Sequence, residues 1–153
     1  MKADEIAFID TNILVYAVET DNPWHKRAIA LMNRVNTGEL LIYLSPQVIG
    51  ELYSTITNPR KIRNACPPDE AVEIVRSIWG AENIRKLYPR ESTLKLTLDL
   101  VKRYQLRAVD FFDAQIVATM MDNGITTIYT VNEADFAMFE EIKVVNPFRV
   151  DRI

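Results

Sequence analysis

The sequence predicts an α/β domain with a mainly parallel central sheet flanked by helices. Three observations carry that prediction. Short apolar runs, those at 6–9, 40–44 and 126–129 among them, recur along the chain and read as buried strands. Between them lie segments whose apolar residues repeat at helical spacing, and strands that alternate with helices build parallel sheets. The 153 residues, 48% of them hydrophobic and 25% charged, suit a single globular domain over 1–153 with a core of its own.

The run at 6–9 leads straight into Asp10, so this acid stands at the carboxyl end of the first strand. Open α/β sheets bind their ligands there. The competing account makes Asp10 only the N-cap of the helix that begins at Thr11 or Asn12. That helix runs on through the apolar stretch 14–18 and stops before Asp21-Asn22-Pro23, a turn signal. A helix over 24–35 follows, with Ala28, Ile29, Leu31, Met32 and Val35 as its core face. His25, the only histidine, falls in its first turn and reads as a surface residue. There is no second histidine or cysteine pair to complete a metal site.

Thr37-Gly38 closes that helix before the strand at 40–44. Ser45-Pro46 supplies an N-cap and a proline at the first helical position, predicting a helix over 46–58 that ends before Pro59. Its apolar stripe is Val48, Ile49, Leu52 and Ile56. Glu51 falls at the edge of that stripe, either as an ordinary surface glutamate or facing a crevice beside the sheet. Arg60-Lys61-Ile62-Arg63 is the strongest local basic cluster, and Cys66-Pro67-Pro68 precedes a helix over 69–79 with a broad apolar face. A short strand at 84–88 carries Arg85 and Lys86. Ser92 then caps a helix whose Leu94, Leu98, Val101 and Tyr104 recur at helical spacing.

The second anchor is the stretch from Asp110 to Met121, closed by Asn123-Gly124. Drawn as a helix it is apolar on two sides, Phe111, Ala114, Val117, Ala118 and Met121 on one, Phe112, Ile116 and Met120 on the other. It should therefore be largely buried. Asp113 lies between Val117 and Met120 on this projection, so its carboxylate enters an apolar surface. Burying an unpaired charge is expensive, and a bound cation is one of the few things that offsets it. The alternative makes Asp110 the N-cap and Asp113 an N3 residue favoured by the helix dipole. A strand at 126–129, a polar loop entering a short helix near Phe136, and a last strand at 142–145 complete the chain.

Cys66 is the only cysteine, which excludes an intramolecular disulfide and any multi-cysteine zinc site. Catalysis must then rest on carboxylates, hydroxyls or amines. A net charge of −3 argues against a polyanion held by bulk charge and leaves local basic patches open. No apolar run approaches a membrane span and the polar opening 1–5 is not a signal peptide, so a cytoplasmic location is expected. Asp10, Glu51, Asp113 and the Asn132/Asp135 loop each follow a strand or lie in the opening turns of a helix. In a parallel sheet such places converge on one edge. Crowded carboxylates repel, and an oxygen-only donor set selects a hard ion, Mg²⁺ or Mn²⁺. The chemistry that follows is phosphodiester hydrolysis.

In the order and spacing of Phe8-Ile9-Asp10-Thr11-Asn12, Glu51, the stretch from Phe112 to Ala118, the stretch from Thr130 to Phe136 and the closing Val144-Val145-Asn146-Pro147, the chain resembles the PIN-domain family. Within that family it is similar to the VapC-type toxin ribonucleases. The resemblance implies metal-dependent endoribonuclease activity on RNA, homodimerisation and a small antitoxin protein as partner. Carried over residue by residue, it makes Asp10 and Asp113 the principal metal ligands and Glu51 the third acid, ligating directly or through water. Thr11, Asn12, Thr130 and Asn132 would support them. The family's fourth acid often follows the Thr-x pair, and that place is Asn132 here; Asp135 either substitutes for it or only caps its helix.

RNA cleavage by an acidic protein requires local positive charge, for which Arg60, Lys61, Arg63, Arg85 and Lys86 are the candidates. An aspartyl-nucleophile phosphatase would want a second Asp at position 12, which is Asn, and a receiver domain a lysine after a late strand. The alternative that survives is a non-catalytic PIN-like module that binds RNA or a protein.

Overall fold

In the computed structural model, which describes residues 5–149, the strands are β1 (Glu5–Ile9), β2 (Leu40–Leu44), β3 (Ile84–Lys86), β4 (Thr127–Tyr129) and β5 (Lys143–Val145). Residues 1–4 of the polar opening and 150–153 of the expected span lie outside the described residues. The strands pair in the order β3-β2-β1-β4-β5 and every pair is parallel. Phe8 lies opposite Tyr43 on one side and Ile128 on the other, so β1 is central. Ala7, Phe8 and Ile9 are fully buried, which is why β1 reads as an unbroken apolar run instead of an alternating one.

The connections supply α1 (Thr11–Val18), α2 (His25–Asn36), α3 (Pro46–Ile56), α4 (Pro68–Trp79), α5 (Glu91–Tyr104), α6 (Asp110–Asp122) and α7 (Glu133–Phe136). Between parallel strands the chain must return to the starting edge, so helix N-termini gather where strands end. Strands β2 and β3 step away from β1 in one direction, whereas β4 and β5 lie on its other side. The order reverses between β1 and β4, and that switch point is where α/β sheets open a crevice. The α/β class, the parallel sheet and its flanking helices are as the sequence predicts.

Several local expectations are corrected. Leu94 and Leu98 of α5 are exposed, at 57% and 53%, while Thr93, Thr97 and Leu100 are buried. The threonines go inside because their hydroxyls are satisfied: Thr97 donates to the Thr93 carbonyl at 2.7 Å, and Thr93 donates to Asp122 Oδ2 at 2.7 Å. Once its hydroxyl is paired, a threonine packs as a small branched residue. Arg90, not Ser92, is the N-cap of α5; its N–H donates to Thr93 Oγ1 at 2.8 Å, and the Ser92 hydroxyl donates to Asp122.

Val109, not Asp110, is the N-cap of α6, because the preceding turn already pairs the first amides, Phe111 with Ala108 and Phe112 with Val109. Asp110 and Asp113 therefore both lie in the first turn. Phe112 is 51% exposed, so the second apolar side of α6 is less buried than its composition suggests.

Ile29 of α2 faces solvent at 39%. His25 is half-buried instead of on the surface, donating from Nδ1 to the Tyr16 carbonyl at 2.8 Å and tying α2 to α1. The strand expected at 84–88 stops at Lys86; Leu87 N–H still reaches the Leu44 carbonyl at 2.8 Å, but Pro89 has no N–H with which to continue. Helix α3 ends at Ile56, short of Asn58, and α4 begins one residue early at Pro68.

Candidate active site

Asp10 leaves β1 at the switch point and is 8% exposed. One carboxylate oxygen accepts the Thr11 N–H at 2.7 Å, the N-cap of α1. The other accepts the Thr130 hydroxyl at 2.8 Å, across the crevice from the end of β4, and Asn12 Nδ2 at 3.2 Å. The two accounts of Asp10 thus describe two oxygens of one side chain, one at the cap and one at the crevice. Asn12 also donates to Thr130 Oγ1 at 3.1 Å, and the Asn132 N–H donates to the same oxygen at 3.0 Å. Burial holds the Asp10 carboxyl above its ordinary range, opposed by the Thr130 and Thr11 hydrogen bonds and reinforced by the charges of Glu51 and Asp135.

Glu51 rides on the second turn of α3 and reaches the same crevice. The Thr11 hydroxyl donates to Oε2 at 2.7 Å, and Gln47, one turn earlier, donates to Oε1 at 3.0 Å. Gln47 Nε2 also donates to the Phe112 carbonyl at 3.1 Å, which links α3 to the start of α6 beside Asp113. Sequence reading passed over Gln47; its four-residue spacing from Glu51 was the available signal.

Asp113 differs from both. It is half-buried, and among the described residues nothing donates to its carboxylate, whose oxygens open to the cleft. Its carboxyl is pushed up to about 7, first by burial, then by the charges of Asp135, Asp10, Asp110 and Glu51. Asp135, exposed in the first turn of α7, thus faces Asp113 and Asp10. Asn132, where a family member often has an acid, lines the same cleft.

These groups border a cleft of about 870 Å³ between α1 and α3. Besides the acids its walls include Val15 and Tyr16 on α1, Ser54 and Thr55 on α3, and Lys61. Of the candidate cations only Lys61 lines the cleft. Arg60 and Arg63 are exposed in the same turn, whereas Arg85 and Lys86 sit on edge strand β3, with Lys86 Nζ 5.8 Å from the Trp79 ring centroid. Among the described residues no three acids stand close enough to form a ready-made cage for an ion. The donor set still fits a hard divalent cation: it is all oxygen, the charges of Glu51 and Asp135 raise the pKa of both Asp10 and Asp113, and Asp113 has no partner to give up.

A crevice of acids at the switch point of a five-stranded parallel sheet defines a class of α/β protein whose ligand sits beyond the strand ends. The chain belongs to the PIN domain family, whose model matches residues 7–142. It is 29% identical over 140 residues to ribonuclease VapC48 of Mycobacterium tuberculosis, covering 91% of this chain and 95% of the relative. Ribonuclease VapC24 of the same organism is 26% identical over 148 residues, covering 94% and 97%.

Among solved structures, VapC20 of Mycobacterium tuberculosis, a Sarcin-Ricin loop cleaving toxin, superimposes with a TM-score of 0.66 at 21% identity over 90% of this chain and 98% of that one. VapBC2 of Rickettsia felis, solved bound to a DNA fragment from its promoter, gives 0.63 at 15% identity over 92% and 98%.

Proposed function

We propose that the protein is a metal-dependent endoribonuclease, the toxin of a toxin–antitoxin pair. The single observation that carries the chemistry is Asp113: a half-buried carboxylate with no hydrogen-bond donor, pressed by the charges of four neighbouring acids. Such a group calls for a cation. Asp10, Asp113 and Glu51 would hold Mg²⁺ or Mn²⁺, with Asp135 as a weaker fourth ligand. A bound ion of this kind lowers the pKa of an attacking water and neutralises the leaving oxygen.

The chain's own residues do the rest. Thr130 and the Thr11 amide orient Asp10, while Thr11 and Gln47 orient Glu51. Lys61, which lines the cleft, supplies positive charge for a phosphate. The family membership and the relatives named as ribonucleases support the reading. In the cytoplasm its substrate would be cellular RNA; among the described residues no helix is long and apolar enough to cross a membrane.

Purified protein incubated with total RNA and Mn²⁺ should cut it, and chelator should stop the cutting. Equal cleavage in both would remove the metal from the mechanism, and no cleavage in either would favour the non-catalytic module.

The partner reading rests on apolar surface. An apolar groove of about 450 Å³ lies between α1, α2 and α4, lined by Leu14, Val18, Met32, Ile74 and Ile78, and it suits an amphipathic helix of an antitoxin. VapBC2 of Rickettsia felis is one of several such toxin–antitoxin assemblies with this fold. The exposed Leu94 and Leu98, one turn apart on α5, are candidates for a homodimer contact. Sedimentation at micromolar concentration should give twice the 17.6 kDa chain mass, and the double variant Leu94→Lys/Leu98→Lys should give the monomer. A dimer unaffected by those changes would move the interface elsewhere.

A further inference from the structure

The cleft is lined by more than its acids. On α1, Tyr16 follows Asn12 by four residues, and on α3, Ser54 and Thr55 follow Glu51 by three and four. Residues so spaced share a helix face, so both walls continue from the acids to a second level about 5.4 Å further along. Tyr16 stands at that level on α1 and Ser54 and Thr55 on α3, and Lys61 lines the same cleft.

The hydroxyls at this level are free. Thr57 on the same helix bonds its hydroxyl to the Tyr53 carbonyl at 2.8 Å, and Thr119 bonds to Gln115 at 2.7 Å, which is how helical threonines usually satisfy themselves. Among the described residues Ser54, Thr55 and Tyr16 make no such side-chain bond. No buried side-chain polar atom there lacks a partner, so these three groups open to the cleft. The Tyr16 ring is braced from behind by Phe148, centroids 6.2 Å apart, and its backbone carbonyl is held by His25.

We propose that this second level is a nucleobase subsite: Tyr16 stacks on the base of the nucleotide next to the scissile phosphate, Ser54 and Thr55 hydrogen-bond its edge, and Lys61 takes the following phosphate. The inference rests on the ribonuclease reading and concerns the nucleotide beside the cut. A base can stack on Tyr16 only when it is splayed away from its own neighbours. Unpaired RNA offers bases in that state, and an aromatic side chain replaces the lost stacking.

The test measures steady-state cleavage of a randomised 20-nucleotide RNA in Mn²⁺, with the cut ends sequenced. Stacking on an aromatic ring is worth about 1–3 kcal/mol, so Tyr16→Leu should raise KM about 5- to 150-fold and change kcat little. Tyr16→Phe keeps the ring and should restore KM to near the parent value. The double variant Ser54→Ala/Thr55→Val removes hydroxyls from partly exposed positions, so it tests the subsite even if Tyr16→Leu fails to fold. It should flatten the base preference beside the cut.

The subsite is overturned if Tyr16→Leu cleaves with the parent's KM, if Tyr16→Phe is as defective as Tyr16→Leu, or if the hydroxyl variant keeps the parent's base preference. A parent that cuts normally while these changes are silent sinks the subsite alone. A parent that does not cut removes the ribonuclease reading and the subsite with it.

Discussion

Asp113→Asn is expected to lower RNA cleavage by at least ~100-fold with the fold unchanged. Loss of a residue that merely orients a metal ligand costs 10–100-fold, so loss of a ligand should cost no less than the upper figure. The fold survives because asparagine has the same shape and no hydrogen bond of Asp113 is broken. Asp10→Asn should be as damaging for activity and costlier for structure, because an amide nitrogen in place of Oδ2 cannot accept the Thr130 and Asn12 hydrogen bonds. Asparagine is as good an N-cap as aspartate, so the Thr11 amide keeps an acceptor, while a neutral amide binds a hard cation poorly.

Asp135→Asn should cost less, since Asp135 is exposed and acts on the other acids from the rim of the cleft. Cleavage rates of the three variants, each checked by circular dichroism, decide the matter. If Asp135→Asn matched Asp10→Asn, Asp135 would be a full ligand. If Asp113→Asn kept parental activity, the carboxylate mechanism would be refuted.

The second large effect is on stability, and it reverses sign with metal. The Asp113 carboxyl titrates near 7 in the folded protein against an ordinary value of 3.8, so between those values the fold holds a proton that the unfolded chain has lost. Stability rises with pH only where the unfolded state binds more protons. Here the folded state binds more, so this group's contribution falls as pH climbs from about 4 to about 7. Carboxylates held low, such as Glu5 and Asp122, act in the opposite direction below that window. Comparing parent with Asp113→Asn cancels them.

In chelator the variant should melt above the parent, by a margin that grows from pH 4 to 7 and then levels. Saturating Mn²⁺ should invert the order at pH 7.5. A ligand at a hundredfold excess over Kd adds about 2.7 kcal/mol, some 5–10 °C for a domain of this size, and only the parent would receive most of it. Were Asp113 just a first-turn acid, asparagine would lose about 0.3–1 kcal/mol of dipole interaction at every metal concentration. Thermal melts across pH, with and without metal, distinguish the two. A variant that melts below the parent in chelator, with no metal effect on either protein, would overturn the clustered-carboxylate site.

Much of this protein is written locally in its sequence. The central strands are apolar runs and most helices carry their own periodicity, so element type and order follow from neighbours a few residues apart. For the same reason Asp10, Glu51 and Asp113 stood out, each just after a strand or early in a helix. Local pattern failed where a residue's partner is distant. Leu94 and Leu98 look like a core stripe, yet Thr93 and Thr97 are buried in their place because Asp122 and a backbone carbonyl satisfy their hydroxyls. Gln47 and Tyr16 carried no charge to draw notice, and became parts of the cleft only when α1 and α3 came together.

The sequence by itself determined the strands, the helices and the acids that end or begin them. Only the tertiary structure decided that β4 lies beside β1, so that Thr130 donates to Asp10 across 120 residues of chain and the acids share one crevice. Strand order depends on how whole crossover units pack against both faces of the sheet. That balance is a sum over long-range contacts, and no short window of residues contains it.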